Sequence, residues 1–247
     1  RSYSSEEGEF ERCIVGNKDQ RLPFTVRYPT MKPGLNQWTW DMRRNGLHCI
    51  DDIRLFAGFD GANVIPGEYL VRIAIGGAES TAGLTLLPDP RDEATATDYA
   101  FLDTRIRETT DLLNGLLDRL QAAREAREQI EALLRDHADA PDLLAVAESA
   151  IRRLTDWENL VTQTQYETYE DEDSMPPMLD VHIRHLLDVL DRAGAPVSDG
   201  SLRRLEDLKA KWSERESELL EVVRTDIAAV NGWARENGVP HIRVSGG

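Results

Sequence analysis

Cysteine is scarce in this sequence, and long apolar runs and clusters of basic residues are missing. Two of the 247 residues are cysteine, and 29 basic residues stand against 45 acidic ones, which gives a formal charge of −16. An acidic chain repels polyanions, so we expect no nucleic-acid partner. The apolar runs stay well short of the roughly 18 residues of a transmembrane helix, so we expect no membrane span. Residues 1–10 lack the apolar centre of a signal peptide.

The two cysteines leave the redox state open. Cys13 and Cys49 both lie near turn residues in the first part of the chain. An exported protein would allow a disulfide between them, whereas a cytosolic protein would keep two thiols. The sequence does not give the distance between their Cα atoms, so both interpretations remain.

The motifs of the common catalytic chemistries are also absent. No serine stands in a G-x-S-x-G setting, and "AGFDGAN" (57–63) has neither the glycine spacing nor the following helix of a nucleotide-binding loop. Carboxylates are so frequent in the second half that no glycosidase pair stands out. We therefore predict no catalytic residue and no cofactor in this chain, and whether it forms part of an enzyme stays open.

A weak candidate for a metal site lies in "DVHIRH" (180–185). Asp180, His182 and His185 cluster at the start of a predicted helix, and the two histidines are three residues apart on one face. Zinc requires three or four ligands with supporting hydrogen bonds, so a solvated helix face is the favoured interpretation. The acidic run "YEDED" (169–173) lacks the spaced ligands and the glycine of a calcium loop, and we interpret it as an acidic connection.

Glycine content and apolar periodicity divide the chain near residue 92. Before this point glycine is frequent and apolar residues alternate, whereas after Ala96 leucine, alanine, glutamate and arginine recur every three or four residues. We predict an α+β multidomain chain, with an immunoglobulin-like β-sandwich over residues 1–92 and an antiparallel α-helical bundle of three to four long helices over residues 93–247. The candidate strands lie near residues 2–5, 23–28, 35–42, 68–75 and 79–87.

Four apolar stripes predict the helices. The first helix covers about 96–137, the second begins at Pro141, the third ends at Gly194, and the fourth begins at Ser198 or Asp199. Each stripe is narrow and flanked by charge, so each helix needs partners to bury it. The stripes consist of Ile106, Leu113, Leu116, Leu120, Ala123, Ile130 and Leu134; of Leu143, Ala147, Ala150, Leu154, Trp157 and Val161; of Leu179, Ile183, Leu186 and Leu190; and of Leu205, Leu208, Trp212, Leu219, Val223, Val230 and Trp233.

Two of the five tryptophans lie in the short stretch "GLNQWTWDMRRNG" (34–46). Strand alternation places Trp38 and Trp40 on one face, and we predict that both are mostly buried in the core of the sandwich. A platform for stacking sugars is the less favoured alternative. The residues that we predict to form the structural core are Trp38, Trp40, Tyr69, Trp157, Trp212 and Trp233.

Several segments occur in the order known from one protein family. They are "GLNQWTWDMR" (34–43), "PGEYLVRIAIGG" (66–77), "LTLLPDPR" (84–91), "PPMLD" (176–180) and "NGVPHIRV" (237–244). The ordered set resembles the C-terminal region of bacterial BNR-repeat, sortilin-like (VPS10-type) β-propeller proteins, which are often labelled glycosyl hydrolases. The insert "GLHCIDDIRLFAGFDGAN" (46–63) departs from that pattern, and the chain contains no propeller.

The resemblance implies an exported protein, periplasmic or extracellular, in which this chain is a non-catalytic accessory region. It would pack against the upstream propeller domain of the same protein or mediate self-association with a second copy. As the alternative, the chain contributes a wall of a glycoside hydrolase active site, for example through residues 46–64, and the catalytic residues lie in the propeller.

The number of candidate strands suggests an incomplete sandwich. Five strands fall short of the seven of an immunoglobulin-type sandwich. An exposed sheet edge offers free backbone donors and acceptors, which proteins normally cover or pair. We therefore expect this chain to be the C-terminal part of a longer protein, with its open edge completed by upstream polypeptide or by a second copy.

Overall fold

The computed structural model describes residues 2–5, 29–55, 57–166 and 170–244. The described part combines helices with a small two-stranded antiparallel sheet, so the fold is of mixed class. The two strands precede the helices in the chain. The elements are β1 (Gly67–Ile75), β2 (Ala78–Leu86), α1 (Ala96–Asp136), α2 (Pro141–Val161), α3 (Asp171–Ser174), α4 (Leu179–Ala193), α5 (Asp199–Val222) and α6 (Ala228–Glu236).

The helix ends follow from local sequence signals. Thr95 caps α1 in a reciprocal capping box with Asp98, and Pro141 occupies the first turn of α2. Ser198 caps α5 by accepting a hydrogen bond from the backbone N–H of Ser201. Gly194 ends α4 with a φ of 70°, a conformation that favours glycine. The predicted starts at Pro141 and Ser198 and the stop at Gly194 are confirmed.

The long helices share one hydrophobic core. Helix α1 packs against α2 and α4, and α5 packs against the same two helices. All six stripe residues of α2 and all four of α4 are buried, so their predicted registers are confirmed. The large apolar side chains of these stripes each stabilise the fold by about 1.5–3 kcal/mol on burial, and the small side chains of Ala147 and Ala150 contribute less.

The fourth predicted helix is interrupted by a π-helical turn, Val223–Ile227, between α5 and α6. A π-helical turn inserts about one residue, which rotates everything after it relative to the core. The buried positions therefore change from Leu219 and Val222 to Ile227, Val230 and Ala234. The predicted stripe is confirmed at Val230 and corrected at Val223 and Trp233, which are half-buried residues at the edge of the core.

The segment 47–62, most of the unusual insert, packs into the helical core. Its buried apolar side chains belong to the same cluster as those of the helices; they are Leu47, Ile50, Ile53, Leu55, Phe59 and Ala62. Arg184 of α4 holds the segment by donating to the carbonyl oxygens of Gly58 (2.7 Å) and Ala57 (2.9 Å). Asn114 of α1 accepts a hydrogen bond from the backbone N–H of His48. The boundary at residue 92 stays a prediction, but packing between described residues crosses it.

The strand predicted at residues 35–42 is wrong, and residues 2–5 also form no strand. Local side-chain hydrogen bonds lie at both ends of this stretch: the Asn36 amide binds the backbone of Lys32 and Gly34, and Asp41 accepts from the N–H of Arg43. A single antiparallel bridge joins Arg43 to Asn63. The candidate strand 23–28 lies outside the described residues. A full immunoglobulin-like sandwich is therefore not shown.

Candidate interaction surface

The hairpin of β1 and β2 is built by a two-residue turn between alternating strands. Gly76 and Gly77 both have positive φ, as the tight turn of a two-residue hairpin requires. The strands pair from Gly67 opposite Leu86 to Ile75 opposite Ala78. Both strands were predicted at these positions, and the prediction is confirmed.

One face of this hairpin is apolar and largely open to solvent; we call it the apolar face. Val71, Ile73 and Ile75 are 42%, 57% and 54% exposed. Nearer the base, Leu84 and Leu86 are half-buried. The register places the members on one side of the sheet. The apolar face consists of Tyr69, Val71, Ile73, Ile75, Ala78, Ala82, Leu84 and Leu86, and the same side of the sheet also carries Gly67 and Ser80.

The opposite face of the hairpin is polar. Glu68 accepts hydrogen bonds of 2.9 Å from the hydroxyl of Thr85, which lies directly opposite it. Arg72 lies 3.8 Å from the carboxylate of Glu79, and both side chains are more than half exposed. Leu70, 73% exposed, is the large apolar side chain on this otherwise polar face. This difference between the two faces is typical of a sheet that another layer covers on its apolar side only.

Aromatic residues anchor the base of the hairpin. The rings of Trp40 and Tyr69 meet edge to face, with centroids 5.9 Å apart. The Tyr69 hydroxyl donates to the carbonyl oxygen of Ile65 at 2.5 Å, and burial raises the pKa of this hydroxyl. The ring of Trp38 lies 5.0 Å from that of Tyr3, and the indole Nε1 of Trp38 is buried without a hydrogen-bond partner among the described residues.

These anchors differ from the core that the sequence predicted. Trp38, Trp40 and Tyr69 are half-buried and lie outside the hydrophobic core cluster, because residues 35–42 do not enter a sheet that an opposite layer covers. Trp157 and Trp212 are 3% and 7% exposed and belong to the helical core. Trp233 packs against the edge of that core, where its ring meets that of His137 at 5.3 Å.

The three residues of the weak metal candidate differ in burial. Asp180 is fully buried, His182 is half-buried, and His185 is exposed. Burial lowers the pKa of His182, and the neighbouring cations Arg204 and Lys211 lower it further. Within the described ranges, no three or more acidic, histidine or cysteine side chains come together in a way that could hold a metal ion. The acidic run 169–173 contributes its last three residues to the short helix α3.

A buried polar network, which the sequence did not single out, joins α1, α2 and α4. The carboxylate of Glu158, 4% exposed, binds Arg124 at 2.7 Å and Arg127 at 2.5 Å. Close by, Asp180 accepts hydrogen bonds from the Thr162 hydroxyl (2.6 Å) and the backbone N–H of Val181 (2.7 Å). Burial raises the pKa of Asp180 to about 7 despite these hydrogen bonds.

A sequence signal for this network exists. Glu158 and Thr162 continue the helical spacing from Leu154, so they occupy positions where the stripe of α2 calls for apolar residues. A polar residue at a core position is buried at a cost unless it has partners. The partners are on other helices, and the sequence does not identify them. The network bridges helices and opens into neither of the grooves described below.

Two surface grooves lie beside α5. The larger, about 540 Å³, lies between α2 and α5 and is lined by acidic side chains, among them Asp156, Glu214 and Glu221. Trp157 lines this groove but donates its indole Nε1 to the carbonyl oxygen of Arg215 at 2.7 Å. The smaller, about 300 Å³, is apolar and is bordered by Ile242. Neither groove brings together the acid, base and nucleophile of a known chemistry.

Further observations limit the class of protein. Cys49 is disulfide-bonded, and the other cysteine, Cys13, lies outside the described residues. In the described part of the chain, no helix combines the length and the apolar character that crossing a bilayer requires. The geometry therefore defines a helical protein with an amphipathic, half-open β-hairpin. No protein-family model matches the chain, and no curated protein or solved structure matches it either.

Proposed function

We propose that this chain is a non-catalytic interaction region of a bacterial BNR-repeat, sortilin-like (VPS10-type) propeller protein. Its apolar face packs against a β-sheet surface of the propeller and completes an immunoglobulin-like sandwich there. The observation that supports the proposal is the exposure of Ile73 and Ile75 on a sheet face that carries no charged side chain. The order of the segments from residue 34 to residue 244, which resembles that of the family, also supports the proposal.

The physical argument concerns what an exposed apolar sheet face requires. An isolated two-stranded hairpin is marginally stable in water, and three or more strands or a covering layer stabilise it. Here the polar face is already suited to solvent, whereas the apolar face is not. A flat apolar face with period-two alternation is complementary to the face of another sheet, about 10 Å away. The propeller, built entirely from sheets, provides such a surface.

The disulfide supports export of the protein. Structural disulfides persist in the periplasm and outside the cell, whereas the cytosol keeps thiols reduced. Cys49 lies in the segment that packs against α1 and α4, so its disulfide restrains a region of the core. A periplasmic or extracellular location is part of the proposal.

The alternative, a wall of a glycoside hydrolase site, stays a prediction with less support. Such a wall presents exposed aromatic rings and polar groups together at a concave surface. In the larger groove the aromatic residue is Trp157, which is 3% exposed and already hydrogen-bonded. The loop 46–64, named for this role from the sequence, directs most of its apolar side chains into the helical core.

The test measures binding between this chain and the propeller encoded by the same gene, produced as a separate protein. Titration followed by sedimentation velocity should show a complex with the wild-type chain. The double variant Ile73→Ser and Ile75→Ser should weaken binding at least about tenfold, because two apolar side chains leave the interface. Both side chains are exposed, so the unfolding transition of the helices should remain.

A matched control uses exposed apolar residues of the helical part. Leu144 and Leu160 are 45% and 46% exposed, and replacing both by serine should leave propeller binding unchanged. Equal weakening by both double variants would show that the apolar face is not the contact surface. A gene that encodes no propeller with this chain would contradict the family assignment.

A further inference from the structure

The outer edge of β1 is a row of backbone groups that no described residue pairs with. Ile75 and Ala78 flank the two-residue turn, so they form a hydrogen-bonded pair, and so does every second pair along the hairpin. The backbone N–H and C=O groups of the residues between them therefore point away from β2. These residues are Glu68, Leu70, Arg72 and Ala74. Among the described residues, none adds a strand to this edge.

The side chains along this edge carry one charge of each sign around an exposed leucine. Glu68 lies two residues before Leu70, and Arg72 lies two residues after it. Leu70 is 73% exposed, and the side chain of Arg72 is 68% exposed. An antiparallel partner strand with the same sequence reverses this order. The edge is therefore complementary in charge to itself.

We propose that β1 pairs with β1 of a second copy, edge to edge and antiparallel, around a twofold axis at Leu70. The two Leu70 side chains lie opposite each other, and Glu68 of each copy faces Arg72 of the other. This proposal rests on the proposed interaction function and names a further partner for the same hairpin. The dimer turns two hairpins into one four-stranded sheet whose apolar faces are continuous.

The charges select this register over its neighbours. A shift by two residues in one direction places Arg72 opposite Pro66, and a shift in the other direction places it opposite Leu70. A further shift places Arg72 opposite itself, and like charges directly opposite each other are destabilising. Only the register centred on Leu70 forms two opposite-charge pairs.

The outer edge of β2 does not offer the same complementarity. Its outward residues are Glu79, Thr81, Gly83 and Thr85, which include an acid and no base. Gly83 has no side chain to pack and weakens a strand pair. Pairing of two β2 edges therefore gains no opposite-charge pair.

The net charge of the protein also favours the hairpin as the contact. Two copies of charge −16 repel each other, and the repulsion is smallest where little of that charge lies at the interface. The hairpin residues 67–86 contain two acids, Glu68 and Glu79, and one base, Arg72, which gives −1. The remaining −15 lies elsewhere in the chain.

The test uses reversal of charge in the full-length chain and sedimentation equilibrium up to millimolar concentration. The wild-type chain should show a reversible monomer–dimer equilibrium. Glu68→Arg creates two arginine–arginine contacts, and Arg72→Glu creates two glutamate–glutamate contacts. Each single variant should weaken dimerisation by about tenfold or more, since cross-strand pairs are lost and repulsive ones replace them.

Mixing the two single variants provides the sharpest readout. The Glu68→Arg chain carries two bases along this edge, and the Arg72→Glu chain carries two acids. The two variants are therefore complementary, so the mixture should form a heterodimer under conditions where each variant alone is monomeric. The double variant Glu68→Arg and Arg72→Glu should dimerise like the wild type. Glu93→Arg changes the charge by the same amount at an exposed residue outside the hairpin and should not weaken the dimer.

The outcomes separate this proposal from the proposed function. A wild-type chain that stays monomeric at all concentrations overturns the dimer. Propeller binding through Ile73 and Ile75 is tested separately by the titration with the propeller. A dimer that the single variants do not weaken, or that the mixture does not restore, overturns the pairing around Leu70. Circular dichroism and urea unfolding of each variant verify that the fold is intact.

Discussion

The carboxylate of Asp180 in α4 accepts a hydrogen bond of 2.6 Å from the hydroxyl of Thr162, the residue after α2. Both residues are buried, and the contact joins the start of one helix to the end of another. The carboxylate lies away from water, so its charged form is less favourable in the folded protein than in the unfolded chain. Protonation of Asp180 therefore links the packing of α4 against the end of α2 to the pH.

The first prediction concerns the pH dependence of stability. Burial raises the pKa of Asp180 from 3.8 to about 7, so the folded protein binds a proton more readily than the unfolded chain between these values. The contribution of Asp180 to the free energy of unfolding is fully present below the lower value and is lost as the pH rises to about 7. Asp180→Asn should flatten this decrease in urea unfolding measured across the window.

Asp207→Asn is the matched control for the pH experiment. Asp207 is exposed on α5, and the substitution removes the same charge. Its unfolding free energy should follow the pH profile of the wild type. If Asp180→Asn also follows the wild-type profile, the proton uptake does not occur at Asp180.

The second prediction compares two tryptophans of the last helices. Trp212 is 7% exposed in the core, and Trp212→Ala should lower the free energy of unfolding by about 3–5 kcal/mol by leaving a cavity. Trp233 is half-buried at the edge of the core, so Trp233→Ala should cost about 1–2 kcal/mol. Urea denaturation measures both values. An equal or reversed order would contradict the register after the turn.

The third prediction concerns the buried carboxylate of Glu158. Glu158→Gln should destabilise the protein by on the order of 3 kcal/mol, because Arg124 and Arg127 lose the charge that offsets their partial burial. Glu218→Gln removes a carboxylate that binds Arg215 at 2.7 Å but is 43% exposed. This control should change the unfolding free energy by less than about 1 kcal/mol. Similar effects of the two substitutions would mean that Glu158 is solvated.

The helical part follows closely from the sequence because its signals are local. The spacing of Leu143, Ala147 and Leu154 identifies the buried face of α2, and a proline marks the start of the helix. Trp233 shows the limit of such reasoning. The π-helical turn contains Asp226, which forms an ion pair with Arg153 of α2, and the sequence does not show that these two distant residues meet.

Within the first 92 residues, the alternation of apolar side chains does not by itself establish that a segment forms a strand. Trp38 and Trp40 alternate as strand residues do, yet residues 35–42 form no strand, and the side chains of Asn36 and Asp41 bind backbone groups just outside this stretch. For the candidate surface, the strands and their polar and apolar faces were predictable. The exposure of Ile73 was not, since it depends on which layer covers the hairpin.

The last prediction tests the close approach of the segment after Trp40 to the insert. A Cβ atom on Gly61 would lie 2.2 Å from the carbonyl oxygen of Asn45 and 2.6 Å from that of Arg44, and backbone atoms cannot move aside cheaply. Gly61→Ala should therefore lower the free energy of unfolding by roughly 3 kcal/mol through overpacking. Gly83→Ala is the control, because no heavy atom lies within 4 Å of its added Cβ, and its effect should stay within about 0.5 kcal/mol. Because Arg44 donates its backbone N–H to the carbonyl oxygen of Ala62 at 2.9 Å, the added methyl must displace a hydrogen-bonded pair of segments. A Gly61→Ala protein as stable as the wild type in urea would show that these two segments do not pack as described.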